Sequence, residues 1–269
     1  MTDSDLRLSR REWLKRSAAT GVAAAAAGCG SPAAEEDASG VLFAAPHVTI
    51  PVAAGSERFA VRRIYCVGRN YAAHAREMGS DPTREPPFFF QKPRDAVQVV
   101  AADTTADHPY PPMTKNYHYE VELVAALGSG GRDIAPDRAL EHVYGYAVGL
   151  DMTRRDLQRM MGDQQKPWEL GKAFDKSAVI THLQKASATG HLAKGAIWLT
   201  LNGETKQSSD LDKMIWNVAE QIANLSQYYE LVAGDLIYSG TPENVGPVQK
   251  GDVIHAHVDG LTDLKARIV

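Results

Sequence analysis

Glu120 and Glu122 stand two apart in the strand-like run of residues 119–125, so both side chains leave the same face. They bracket Val121, while Leu123 and Ala125 point the other way. Two carboxylates a few ångströms apart repel unless a cation or a proton lies between them, or solvent screens them. Asp151 directly follows the apolar run 144–150, where a strand end would deliver a third carboxylate. Three oxygen donors with no accompanying cysteine suit a hard divalent ion, Mg²⁺ first, with Mn²⁺ or Ca²⁺ as further candidates. A pair of acids on a solvated strand face is the plainer alternative. His118 shares the glutamates' face and is expected to pack nearby or to face solvent rather than to ligate.

A second constellation lies upstream. His74 and Glu77 are three residues apart, which on a helical turn sets them side by side. A carboxylate beside an imidazole orients the ring and favours its charged form, as a water-activating base requires. Ordinary surface neighbours show the same spacing.

These groups need a scaffold, and strand-like runs dominate the chain: residues 63–68, 119–125, 144–150, 197–202 and 253–258. Several alternate with a period of two, as a sheet with one covered face requires. Helical spacing is clearest over residues 213–226, where Met214, Ile215, Val218, Ile222 and Leu225 make one apolar stripe expected to be core. Two turn-rich passages, 232–235 and 249–252, each precede an apolar strand. The expectation is an α+β, mainly β fold with peripheral helices, one domain over residues 41–269. Cys66 lies in an apolar strand and reads as an inert core thiol.

The N-terminus reads differently. Ser9-Arg10-Arg11-Glu12-Trp13-Leu14-Lys15 is a twin-arginine pattern, followed by the weakly apolar run 18–28. Residues 1–28 are therefore expected to be a twin-arginine export signal rather than part of the fold. The run is short and alanine-rich for a membrane span. Ala26-Ala27-Gly28-Cys29 is similar to a lipobox, so Cys29 is the expected lipidation point, with residues 29–40 a flexible tether. The expected location is then periplasmic or cell-surface, held to the membrane only through that lipid.

The 269 residues carry 29 basic and 33 acidic side chains, net −4. Residues 1–28 hold five basic and three acidic ones, so 24 basic and 30 acidic remain beyond them, net −6. That balance disfavours a nucleic-acid partner, which needs phosphate-neutralising cations. Two cysteines cannot build a disulfide framework or a cysteine zinc site.

Taken in order, the chemistry-bearing segments form a pattern. Cys66-Val67-Gly68-Arg69-Asn70-Tyr71 with His74 and Glu77 is followed by Phe90-Gln91-Lys92-Pro93. Then come His118-Tyr119-Glu120-Val121-Glu122-Leu123, Asp151-Met152-Thr153-Arg154-Arg155-Asp156-Leu157-Gln158 and Trp168-Glu169-Leu170-Gly171-Lys172. Leu201-Asn202-Gly203-Glu204 and Gly234-Asp235 through Gly240-Thr241-Pro242 complete it. This series resembles the fumarylacetoacetate hydrolase family from about residue 63 to the C-terminus, nearest its acylpyruvate and fumarylpyruvate hydrolase branch, which also contains oxaloacetate decarboxylases.

The resemblance implies a rolled mixed central sheet and a homodimer. It implies Mg²⁺ or Mn²⁺ on Glu120, Glu122 and Asp151, and His74 with Glu77 as the water-activating dyad. That dyad would lie on a segment that orders as a lid. Lys172 is expected to steady developing charge, and Arg155, Gln158 and Thr241 to contact substrate. The implied reaction is hydrolysis of a C–C bond in a 2,4-diketo acid, releasing pyruvate and a carboxylic acid. Oxaloacetate decarboxylation or oxo-acid isomerisation on the same site is the alternative within enzymes. An exported oxo-acid binding protein without turnover is the alternative outside them, and it would have no use for the dyad. Lys92 reads as a structural lysine or a catalytic one. Arg154 and Arg155 read as a solvated pair, unless Arg155 meets a substrate carboxylate.

Overall fold

The computed structural model describes Leu42, residues 45–77 and residues 85–269. The chain divides into two units, Met1–Ala45 and Pro46–Val269. Of the first, Leu42 and Ala45 are described, both exposed. The export signal, the tether and Cys29 lie outside the described residues, as does most of the expected lid, residues 78–84. No described helix is long and apolar enough to cross a membrane.

The second unit is built on an eight-stranded mixed sheet. Its order is Phe88–Lys92, Ile64–Gly68, Leu236–Tyr238, Val121–Leu127, Val143–Asp151, Ala178–Ile180 and Val97–Val99, with Gln184–Lys185 also pairing to Val143–Asp151. Two pairings are parallel, Leu236–Tyr238 with Ile64–Gly68 and Ala178–Ile180 with Val97–Val99. A five-stranded sheet packs beside it in the order Glu204–Asp210, Ala196–Leu201, Val253–Val258, Leu264–Ile268 and Ala106–His108.

The central strands are buried on both faces, and their alternation sorts side chains into two cores. Val121, Leu123, Ala125 and Leu127 join Ile197, Leu199, Ile254 and Ala256 between the two sheets. Val124 and Ala126 turn the other way, into a second core with Ala147, Ala178, Leu236 and Tyr238. The sheet rolls around that second core: the Tyr238 hydroxyl donates to the carbonyl of Val179, three strands away, at 3.1 Å. Small side chains permit the roll. A Cβ on Gly149 would meet Val124 Cγ2 at 2.5 Å and Tyr238 Cε1 at 2.7 Å. Cys66 is buried among these residues, and burial pushes its thiol well above the usual range.

Two segments differ from their sequence pattern. The run 119–125 is not one strand. It breaks at Glu120, with Tyr117–Tyr119 joining a three-stranded sheet with Thr153–Arg154 and Gly246–Pro247, while Val121–Leu127 enters the central one. The apolar stripe is helical only from Val218 to Tyr228. Met214 to Asn217 stay outside the helix, because Asn70 takes the amides of Ile215 and Trp216. Ile215 donates its amide to the Asn70 carbonyl at 2.7 Å, and Trp216 donates its own to Asn70 Oδ1 at 2.8 Å. Asn217 then opens the helix with a capping box shared with Glu220. Ile215 is accordingly only half-buried.

Candidate active site

The carboxylate cage forms where strands end. Glu120 sits at the break between two sheets, Glu122 near the start of Val121–Leu127, and Asp151 closes Val143–Asp151. The amide of Asp151 donates to the carbonyl of Glu120 at 2.9 Å, which locks the two strand ends together. All three acids are buried, and one oxygen from each lies within 4.8 Å of the others. Gly240 orients the third: its amide donates to Glu122 Oε2 at 2.8 Å. It does so at φ 99, pressed so closely on Asn70 that a Cβ would stand 2.6 Å from Asn70 Cβ. Only glycine fits there.

Three buried cations surround these three acids. Lys172 Nζ donates to Glu120 Oε2 at 2.6 Å and to Asp151 Oδ2 at 2.7 Å. Arg155 Nη2 pairs with Glu120 Oε1, and Nη1 donates to Gln158 Oε1. Lys92 Nζ lies 2.8 Å from Asp151 Oδ1 and donates to the carbonyls of Met152 and Lys172. Burial alone would lift the Glu120 carboxyl, yet the charges of Lys172 and Arg155 outweigh it and hold it well below the usual carboxylate range. Among the described residues, Glu122 has no such cation in contact. Burial, then Asp151 and Glu120, push it well up. A divalent ion is the group that would relieve this strain. The donor set fits one: three hard oxygens converge, and Asp151 Oδ1, although close to Lys92, accepts no aligned hydrogen bond.

The dyad faces the cage. Ala72–Glu77 is a short helix directly after the strand Ile64–Gly68, and it carries His74 Nδ1 to 3.1 Å from Glu77 Oε2. The amide of Asn244 donates to the same Glu77 oxygen at 3.0 Å. Burial would raise Glu77, but the bond and charge of His74 and the Asn244 amide hold it below its ordinary value. A charged Glu77 places the proton on Nδ1 and leaves Nε2 of His74 as the basic nitrogen.

One small cavity, about 20 Å³, is bordered by His74, Glu120, Glu122, Asp151, Arg155, Gln158, Lys172 and Thr241. Glu77 borders a larger adjoining one of about 950 Å³. The structure therefore gathers the residues expected to hold metal, substrate and water around these two adjoining cavities. His118 packs beside the cage: burial, then Arg155, push it down to about 4, so it is neutral. Its Nε2 is 2.8 Å from Asn116 Oδ1 and its Nδ1 is 3.5 Å from Arg155 Nε. Arg154 and Arg155 are no solvated pair. Arg155 is buried in the cage, and Arg154 lies 4.3 Å over the Phe174 ring. Lys92 is part of the cage through its contact with Asp151. Gln207 was not visible in the sequence. It is fully buried and donates from Nε2 to Thr241 Oγ1 at 2.9 Å while accepting from the Val121 amide. Nothing in the polar run Glu204–Asp210 distinguishes it from its neighbours.

A rolled mixed sheet whose strand ends converge on three carboxylates and a His–Glu dyad is the architecture of a known enzyme class. The chain belongs to the fumarylacetoacetate hydrolase family, whose model, Fumarylacetoacetate (FAA) hydrolase C-terminal, matches residues 63–269. It is 47% identical to a fumarylpyruvate hydrolase of a Ralstonia species over 188 residues, which cover 70% of this chain and 95% of that one. It is similar in structure to fumarylpyruvate hydrolase from Pseudomonas aeruginosa, solved in complex with Mn²⁺ and pyruvate. That match has a TM-score of 0.84 and 56% identity, covering 85% of this chain and 98% of the other. A mitochondrial oxaloacetate decarboxylase of Dictyostelium discoideum is 37% identical over 77% of this chain and 94% of its own length.

Proposed function

We propose that this chain is a metal-dependent hydrolase that cleaves a C–C bond of a 2,4-diketo acid, fumarylpyruvate or a close acylpyruvate, to pyruvate and a carboxylic acid. The observation that carries this reading is the shared cavity, in which His74, paired with Glu77, faces three clustered carboxylates. The relatives that bear the name fumarylpyruvate hydrolase support it. Glu120, Glu122 and Asp151 would hold the ion, Mg²⁺ or Mn²⁺, which supplies Lewis-acid polarisation of the substrate's chelating oxygens.

The remaining chemistry falls to the chain's own side chains. His74 Nε2 takes a proton from water, and the hydroxide adds to the C4 carbonyl. The C3–C4 bond then breaks, its electron pair moving to C3 as the enolate of pyruvate. His74 returns the proton to C3, so one water is consumed and the base is regenerated. An ammonium has three donors; two of those on Lys172 meet carboxylates, which leaves one for the developing oxyanion. Thr241 accepts from Gln207, so its own hydroxyl proton is directed to a ligand. Gln158 accepts from Arg155 with its oxygen and keeps its amide donors for substrate.

Decarboxylation of oxaloacetate would generate the same enolate without an attacking water, and the 37% identical decarboxylase supports it as the second reading. The two separate on His74. With Mn²⁺ present, pyruvate release from fumarylpyruvate and acetylpyruvate is expected to fall at least about 100-fold in His74→Ala, as loss of a general base predicts. Release from oxaloacetate alone, indifferent to His74, would replace the hydrolase reading by the decarboxylase one.

A further inference from the structure

The inner cavity opens into the larger one across a border formed by Arg69, Phe90, Gln158 and Trp168, which line both. Lys92, Arg155 and Lys172, the three cations of the carboxylate cage, are all committed to carboxylates. Arg69 is not. It is exposed and has neither an acid nor a hydrogen-bond acceptor among the described residues; its guanidinium carbon lies 5.8 Å from the centroid of the Trp168 ring. Its backbone is held at φ 58, a left-handed conformation uncommon for a side chain of this size. Behind it stands an aromatic wall. Trp168 meets Phe88 and Phe90 edge-on, with centroids 5.0 and 5.9 Å apart. The outer cavity also carries Arg159 and Lys166, and the acids Glu77, Asp163 and Glu169, but none of these borders the inner one.

We propose that Arg69 is the specificity residue for the acyl end of the substrate, receiving a carboxylate borne on the distal end of that group. The orientation rests on the hydrolase reading above. With the pyruvyl end held at the carboxylate cage, the acyl group leaves the inner cavity past Arg69 and Trp168. A planar guanidinium donates two parallel hydrogen bonds to a carboxylate. A flat unsaturated acyl chain such as fumaroyl matches the faces of Trp168 and Phe90. An acyl group without a distal charge gains nothing from Arg69.

The test compares two substrates on the Mn²⁺-loaded enzyme. In Arg69→Gln, kcat/KM for fumarylpyruvate falls at least about tenfold, mainly through KM, as loss of a charged hydrogen-bond pair predicts. Acetylpyruvate, with no distal carboxylate, changes by less than about twofold, and Arg69→Lys recovers part of the fumarylpyruvate rate. Equal losses on both substrates, or no loss on fumarylpyruvate, would overturn the proposal. Binding separates it from the parent reading. Wild-type protein should bind fumarate at least about tenfold tighter than Arg69→Gln does, while crotonate, with a methyl group in place of one carboxylate, binds both alike. If wild type cleaves neither acylpyruvate, the hydrolase reading falls alone. Equal affinity of the two proteins for fumarate overturns the role of Arg69 whatever the turnover.

Discussion

Individual side chains titrate according to the partners the fold gives them, and the far sheet offers a case separate from the cage. His255 and His257 alternate on Val253–Val258 and share one carboxylate, each 2.6 Å from an oxygen of Asp263. His257 also reaches Asp259 at 3.0 Å and stacks on Trp198 with ring centroids 4.8 Å apart. Burial would lower His257, but the bonds to Asp263 and Asp259 outweigh it and raise it above the ordinary imidazole value of 6.5. Asp263 is held below its ordinary 3.8: burial would raise it, but its bonds to the two histidines win. A raised imidazole stabilises the fold fully below 6.5 and loses that contribution as pH climbs through its folded value. A depressed carboxyl contributes above 3.8 and loses its share as pH falls through the depressed value. The pair therefore stabilises most between those limits. His257→Gln should melt below wild type near pH 6 and match it near about pH 9, measured as thermal midpoint against pH. A deficit of the same size at both pH values would show that the imidazolium charge plays no part.

At the scale of elements, the roll of the central sheet brings the strand ends to one place, and small residues at its inner face allow it. Gly149 lies two residues before Asp151 and directly against Val124 and Tyr238. Gly149→Ala should cost about 1–3 kcal/mol, the range for overpacking a close-packed interior, and lower the urea midpoint accordingly. An unchanged midpoint would mean that the neighbouring strands yield freely. The strands themselves were legible in the alternation of residues such as 253–258, where period two and a covered face coincide. The start of the long helix was not. Apolar spacing continues upstream of Asn217, but Asn70, 146 residues away, captures the backbone of Trp216. The break at Glu120 was hidden for a similar reason, since a strand that changes sheets keeps its alternation.

For the molecule as a whole, charge balance decides what ligand the cage would favour once it held an ion. Three buried acids face three buried cations. With all three acids ionised, a divalent ion would give the set two excess positive charges, suited to a dianionic oxo acid. Binding to the folded state alone stabilises it by mass action, about 2.7 kcal/mol at a hundredfold excess over Kd. Mn²⁺ added to chelator-treated protein should therefore raise the thermal midpoint. Glu122→Gln should remove that rise, because one of the three converging donors loses its charge. A midpoint indifferent to Mn²⁺ in wild type would count against the cage as a metal site.

The sequence by itself determined what is local. Side chains two apart on a strand share a face, as Glu120 and Glu122 do, and side chains three apart on a helix touch, as His74 and Glu77 do at 3.1 Å. The order of such segments along the chain was sufficient to mark the family. Tertiary structure alone decided which charges meet those groups. Lys172 reaches Glu120 across 52 positions, and Lys92 supports Lys172 across 80, because the sheet rolls and its strand ends converge. No local spacing encodes that closure. The pairing of Gln207 with Thr241 and the placement of Arg69 beside Trp168 are likewise products of the folded chain, since both depend on which partners the closed sheet brings within reach.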